Sequence, residues 1–479
     1  MHFSAIPFFL LVAALGAPQA NAHALRNQTL RTHPSIILSA IHGGHFHSPH
    51  VSISAADGAS TAPTVTPTEA SGARVPKVPP SSPDSDETEE PSRSGKISPK
   101  VLIFSLFPAE GDVWIDRWAE SGLGDLHAVQ STTPGLCMLY PYVHCTADHS
   151  VCQVTTGMGE INAATTAMAL GLSPLFNLTS TYIMVSGIAG VNPQRATLGS
   201  VAFAKYAVQV ALQYEIDARE IPVSWSTGYV AYGTKRPLEF PQVLYGTEVF
   251  ELNAALRDDA VAMARNASMA DSAAASEYRM RYKSMGALVA AATQPPSVMG
   301  CDTATSDVYF SGDLLSEAFQ RTSEVWTNGS AEYCMTASED NAILEVWVRL
   351  AIEGLADFSR VMVMRAGSNF DRPPTGVTAY EHLLVLNQNG FTIAIDNTFN
   401  AGIQVVKGIL SQWDCKYKDG VKPENYVGDV WGSLGGEPDF GPGSLTGGHP
   451  IKPDGQTGSL MRRGMGRGAG VGRPGMPLR

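Results

Sequence analysis

The sequence predicts an α/β domain with a mostly parallel central sheet, set between two tails that lack the spacing of a folded core. Three observations lead there. Apolar runs without alternation, such as Lys100-Val101-Leu102-Ile103-Phe104-Ser105-Leu106-Phe107, suit strands buried on both faces. Helix-forming stretches follow these runs, and strands alternating with helices form parallel sheets. The two ends are Ser/Thr/Pro-rich and Gly/Pro-rich, compositions that cannot bury enough apolar surface to offset chain entropy.

The chain has 479 residues, 44% hydrophobic and 16% charged, with 33 Lys plus Arg against 45 Asp plus Glu. A net charge of −12 counts against nucleic-acid binding, which needs phosphate neutralisation. A mean hydropathy of −0.03 counts against a protein that crosses a bilayer many times. Residues 1–22 read as a signal peptide: an apolar stretch, FSAIPFFLLVAALGA, precedes the small-x-small site Ala20-Asn21-Ala22. Residues 23–95 read as a disordered stalk, with His42, His45, His47 and His50 a solvated cluster rather than a metal site. Four N-x-S/T sequons, at Asn27, Asn177, Asn266 and Asn328, fit a secretory route. The expected location is secreted, at the cell surface, or in a vacuolar or endoplasmic reticulum lumen. Six cysteines there meet an oxidising environment, and their fifteen full pairings are left open.

The folded domain is expected over 96–430. Its first strand leads into the helical text EGDVWIDRWAES. Val151 to Thr155 ends a second strand, and Gly157-Met158-Gly159 turns it into an Ala-rich helix ending near Gly171. Tyr182 to Gly187 is a third strand closing on a second glycine turn, and Ser200–Ala207 and Val361–Ala366 continue the pattern. Ile161 to Gln194 is uncharged, but Pro174 and the polar residues around it keep both halves below the ~20 apolar residues of a span. Residues 215–300 read as an insertion or lid packed beside the sheet. Residues 431–479 read as a disordered Gly/Pro/Arg-rich tail.

Ligands of a parallel sheet bind beyond the carboxyl ends of its strands. Four places meet that description. Glu110 follows the first strand, and Thr156-Gly157-Met158-Gly159 offers backbone N–H groups at a helix start. Ser186-Gly187-Ile188-Ala189-Gly190 reads as a glycine turn, and Arg365-Ala366-Gly367-Ser368-Asn369-Phe370-Asp371 as polar groups after a strand. Neither turn is a dinucleotide or Walker motif, no C-x-x-C supports a metal, and no G-x-S-x-G supports Ser-His-Asp hydrolysis.

In order, these places resemble the nucleoside phosphorylase and nucleosidase superfamily, with Thr336-Ala337-Ser338-Glu339-Asp340-Asn341-Ala342-Ile343 as a fifth element. The text LFPAEGDVWIDRW, TGMGEINAATTAMALGLS, VSGIAGVNP, GCDTATSDVYFSGDLLSEAF, MTASEDNAI and MRAGSNFDRPP resembles one branch, the purine nucleoside permease family, over about 98–418. The resemblance implies a three-layer phosphorylase-like fold. It implies that Glu339 binds the ribose hydroxyls, that Gly157, Met158 and Gly159 border the phosphate or nucleophile pocket, and that Ser186, Gly187 and Ala189 lie under the nucleoside. Arg365 and Ser368 belong to the same binding set. Glu110 matches the position that activates water in nucleosidases. Asn369 stands where such enzymes keep an Asp that protonates the purine, and Asp371 is its candidate substitute only if the loop bends differently.

The function expected is purine nucleoside binding in the service of uptake, in a protein that is not itself the pore and that hands ligand to a membrane carrier. The alternative is cleavage of the N-glycosidic bond by water or phosphate. No cofactor or metal is expected, phosphate is admitted as a co-substrate, and the superfamily allows a homo-oligomer.

Overall fold

The computed structural model describes residues 95–438 and 440. The expected signal peptide, the expected stalk as far as residue 94 and the expected tail beyond Phe440 lie outside the described residues, as does the sequon at Asn27. Strand β1 (Val101–Ser105) has alternating side chains that enter two cores, and this fixes the layering. Val101 and Ile103 face one core; Leu102 and Phe104 face the other.

On the first face lie helices α1 (Pro108–Arg117), α3 (Ala254–Ala264) and α8 (Phe391–Ser411). On the second lie α2 (Glu160–Gly171) and α6 (Asp340–Ile352). The expected three layers are therefore helices, sheet and helices. Trp347 of α6 meets Phe104 of β1 edge to face at 5.9 Å, and both are fully buried.

The sheet centre is parallel. β1 lies between β4 (Val151–Thr155) and β5 (Tyr182–Val191), and β5 pairs in turn with β14 (Val361–Phe370). β12 (Asp302–Thr305) likewise lies parallel between β7 (Tyr206–Gln209) and β13 (Tyr333–Ala337). Antiparallel pairs occur at both edges: β2 (Val129–Ser131) with β3 (Val143–Cys145), β3 with β4, and β10 (Val249–Glu251) with β7 and β15 (Gly428–Asp429). They also occur where the sheet folds on itself, β13 onto β5 and β14 onto β6 (Val201–Phe203).

Four expectations are corrected. Gly187–Gly190 is not a turn, and Arg365–Phe370 does not follow a strand: both segments lie inside ten-residue strands. β5 and β14 run that far because they pair with each other along nearly their whole length. Residues 215–300 are not a lid beside the sheet. They supply β10 and β11 (Val298–Gly300) to it and α3 to the core, where Leu256, Ala260 and Ala264 are fully buried. The fold also passes residue 430, since Phe440 is buried edge-on to Tyr206.

Two disulfides form, Cys145–Cys152 across the β3–β4 hairpin and Cys301–Cys334 beside β12 and β13. Cys137 and Cys415 are free. Replacing Trp347 by Ala should cost about 3–5 kcal/mol of unfolding free energy, the usual range for emptying an aromatic site in a core. Urea unfolding of the variant against wild type measures it, and a loss below 1 kcal/mol would mean α6 is not held through this residue.

Candidate functional site

The site forms where β5 and β14 lie in register. Arg365 pairs with Gly187, Ala366 with Ile188 and Gly367 with Ala189. A Cβ on Gly187 would stand 2.6 Å from both Arg365 Nη1 and Glu110 Oε1. Glycine is required there because two charged side chains occupy that space.

Glu110 enters from the first turn of α1, which begins at Pro108, a residue suited to an N-terminus because it lacks an N–H. Its carboxylate accepts hydrogen bonds from the Leu106 N–H at 2.8 Å and the Ile188 N–H at 2.6 Å. It is 1% exposed, so it is neither a surface acid nor a solvated cap. Burial pushes its pKa up to about 8; Arg365 opposes the rise and Glu339 adds to it.

Arg365 is buried beside three carboxylates. Its Nε donates to Asp340 Oδ1 at 3.0 Å, its Nη2 to Glu339 Oε2 at 3.2 Å and also to Asp340, and its Nη1 to the Ile188 carbonyl at 3.1 Å. Burial works against its charge, but Asp340, Glu339 and Glu110 more than offset that, and its pKa lies above the ordinary value. Glu339 stands at the start of α6, and its other oxygen accepts the Gly159 N–H at 3.0 Å. Gly157 and Gly159 have φ of +84° and +88°, a left-handed backbone that Gly adopts without strain. That conformation turns the Gly159 N–H onto Glu339.

The structure thus brings together Glu110, Gly187, Glu339, Arg365 and the 157–159 turn. Met158 is largely exposed beside it. Other residues lie elsewhere. The Ser186 hydroxyl accepts from Trp114 Nε1 at 3.1 Å, and strand alternation puts it on the face of β5 away from Gly187. Ala189 is buried, and its carbonyl accepts from the Ser368 hydroxyl at 3.1 Å. Asp371 is engaged in a separate buried pair, accepting from Tyr333 Oη at 2.6 Å and from Arg372 Nε at 2.9 Å. It does not join the Glu110 cluster.

A register irregularity in β14 between Gly367 and Asn369 re-aims the side chains that follow. Ser368 and Asn369 then line a narrow cleft of about 40 Å³ with Tyr309, Phe370 and Phe391. A larger groove, about 340 Å³, is bounded by Glu160, Gln209, Asn341 and Glu345 between α2 and α6. It contains none of the residues of the charged cluster.

Sequence reasoning missed three participants. Asp340 is fully buried against Arg365, and its second oxygen has no hydrogen-bond partner. Its position directly after Glu339 was the available signal. Thr336 accepts the Gly190 N–H at 3.1 Å, and Asp307 accepts the Glu160 N–H at 2.9 Å. Thr336 opens the fifth motif element without a role assigned to it there, and nothing in the spacing marks Asp307. Among the described residues no group of three or more His, Cys, Asp and Glu is arranged to hold a metal.

Between about pH 4.5 and 8 the folded chain holds a proton on Glu110 that the unfolded chain has released. The contribution of Glu110 to stability is therefore largest below the unfolded pKa and declines as pH rises toward the folded one. In urea unfolding, Glu110→Gln should gain on wild type by an amount of order 4 kcal/mol between about pH 5 and pH 8. A difference that stays constant with pH would refute the buried, proton-holding carboxyl.

The sequence pattern of the family described as "Purine nucleoside permease (NUP)" matches residues 98–422. A Candida albicans protein named purine nucleoside permease is 44% identical over 349 residues, covering 72% of this chain and 83% of that protein. A Schizosaccharomyces pombe protein named probable purine nucleoside permease is 37% identical over 323 residues, covering 66% of this chain and 90% of that one. Among solved structures, a 5′-methylthioadenosine/S-adenosylhomocysteine nucleosidase from Neisseria meningitidis aligns at TM-score 0.40 and 13% identity, covering 64% of this chain and 98% of that chain. A futalosine hydrolase from Helicobacter pylori aligns at TM-score 0.38 and 11% identity, covering 66% and 98%.

Proposed function

Because the chain belongs to the purine nucleoside permease family, we propose that it binds a purine nucleoside at the Glu110–Arg365–Glu339 cluster and cleaves its N-glycosidic bond. The observation that carries this reading is the buried Glu110 carboxyl with a pKa near 8 beside a second carboxylate. Holding a carboxyl so far from its ordinary value costs stability, and such groups cluster where a proton must move near neutral pH. Glu339 keeps lone pairs free beyond its bonds to Gly159 and Arg365, and a fixed carboxylate suits a pair of ribose hydroxyls. Asn369 stands four residues from Arg365 on the same strand, roughly 13 Å of β-structure, a span comparable with a nucleoside. Tyr309, Phe370 and Phe391 wall the narrow cleft beside it, which a base would enter only as the cleft widens.

In this reading ionised Glu110 takes the proton of the attacking water as the C1′–N9 bond breaks. Arg365 holds the two glutamates apart and in place. Among the described residues no helix is long and apolar enough to cross a membrane. Uptake would then change because cleavage outside a carrier alters what the carrier receives. The two disulfides, and the exposure of Asn177, Asn266 and Asn328, support a secretory location. A second reading, binding and delivery without cleavage, is favoured by Asn369, which can hydrogen-bond a purine but cannot protonate it.

Base release from adenosine, inosine and guanosine decides between them. We expect turnover that falls about 10- to 100-fold in Glu339→Ala, the loss expected for one or two hydrogen bonds to a charged group. We expect kcat/KM to rise with pH and level off above about 8, as Glu110 ionises in the free protein. Tight nucleoside binding without base release would leave the delivery reading instead.

A further inference from the structure

Resting on the reading that a nucleoside is cleaved here, we propose that the second reactant is water and not phosphate, and that Asp307 sets this choice. A helix N-terminus presents free N–H groups and a partial positive charge, and this is what a phosphate would bind. At the start of α2 two of those groups are already given to carboxylates of the chain itself. The Gly159 N–H is held by Glu339 Oε1 at 3.0 Å and the Glu160 N–H by Asp307 Oδ1 at 2.9 Å. Asp307 also lies against the turn, its Oδ1 3.4 Å from where a Cβ of Gly159 would be.

The cation a phosphate would need is committed as well. Arg365 directs Nε, Nη1 and Nη2 to Asp340, the Ile188 carbonyl and Glu339. Around the turn stand Glu339, Asp307 and Glu160, and the last has its pKa raised by burial first and by Asp307 and Glu339 as well. An incoming dianion would meet three acids and displaced N–H donors. Water carries no charge and needs only an acceptor for its proton.

The balance is that of a hydrolysis. The water oxygen forms a bond to C1′, and the C1′–N9 bond breaks with its electron pair going to the purine. One water proton goes to the Glu110 carboxylate, and the purine takes a proton from solvent. Free base and ribose leave, and Glu110 returns its proton to solvent. Asp307 touches neither the sugar nor the water in this scheme. It positions the turn and repels anions.

The test uses the purified full chain with a purine nucleoside, with and without inorganic phosphate, and identifies the sugar product by mass spectrometry in ¹⁸O-labelled water. We expect ribose carrying the label, and a rate that phosphate does not raise. Ribose 1-phosphate, or a rate that rises tenfold or more with phosphate, would overturn the proposal while leaving nucleoside cleavage intact. Failure to bind any nucleoside would remove the parent reading, and this one with it. Calorimetric titration with phosphate alone gives a second readout that does not depend on turnover. Wild type should show no saturable binding, and saturable binding would overturn the proposal. Asp307→Ala and the milder Asp307→Asn should bind phosphate saturably where wild type does not, whereas no saturable binding in either would overturn the role given to Asp307.

Discussion

Arg365 sits inside the sheet with Glu110, Glu339 and Asp340 around it, and the placement of every site element follows from keeping these charges satisfied. Taking ionised groups out of water is costly unless each finds opposite charge and hydrogen bonds. The strand β5 meets part of that requirement with backbone: the Ile188 N–H goes to Glu110 and the Ile188 carbonyl to Arg365. The turn after β4 supplies the Gly159 N–H to Glu339. Removing Arg365 would leave Glu339 and Asp340 buried without their cation, so the arginine is the member the others depend on.

One arginine facing three carboxylates leaves the cluster with surplus negative charge, and this gives the site its chemistry. A proton is retained on Glu110 near neutral pH because burial and a neighbouring glutamate outweigh the attraction of Arg365. The same surplus makes the site poor for anions and suited to neutral hydroxyls. Stability and function pull in opposite directions here, since the carboxyl that is costly to ionise is the one able to accept a proton.

Much of the scaffold was legible in sequence. The unbroken apolar runs, the Ala-rich helix at 160–171 and the split of the uncharged stretch 161–194 into helix, loop and strand all follow from local pattern. The segment 186–190 was misread for an equally physical reason. Gly187 and Gly190 looked like a turn because glycine usually marks one, yet here their missing Cβ atoms make room for Arg365, Glu110 and Thr336. Local propensity cannot distinguish a glycine chosen for its backbone from one chosen for what lies above it. Residues 215–300 were misjudged similarly: β10 and β11 are three residues each and form only because partner strands are waiting.

By itself the sequence determined the alternation of strands and helices, the candidate acids Glu110 and Glu339, and the family to which the chain belongs. These are properties of composition and local order. Tertiary structure alone decided that Arg365 bridges Glu339 and Asp340, that Asp371 turns to Tyr333 and Arg372 instead, that Asp307 accepts the Glu160 N–H, and which four cysteines pair. The Arg365 bridge and the Asp307 contact depend on the register of β5 against β14 or on a loop brought in from far along the chain, and Asp371 is held from 38 residues away by Tyr333. Such contacts are set by packing, and no spacing in the sequence encodes them.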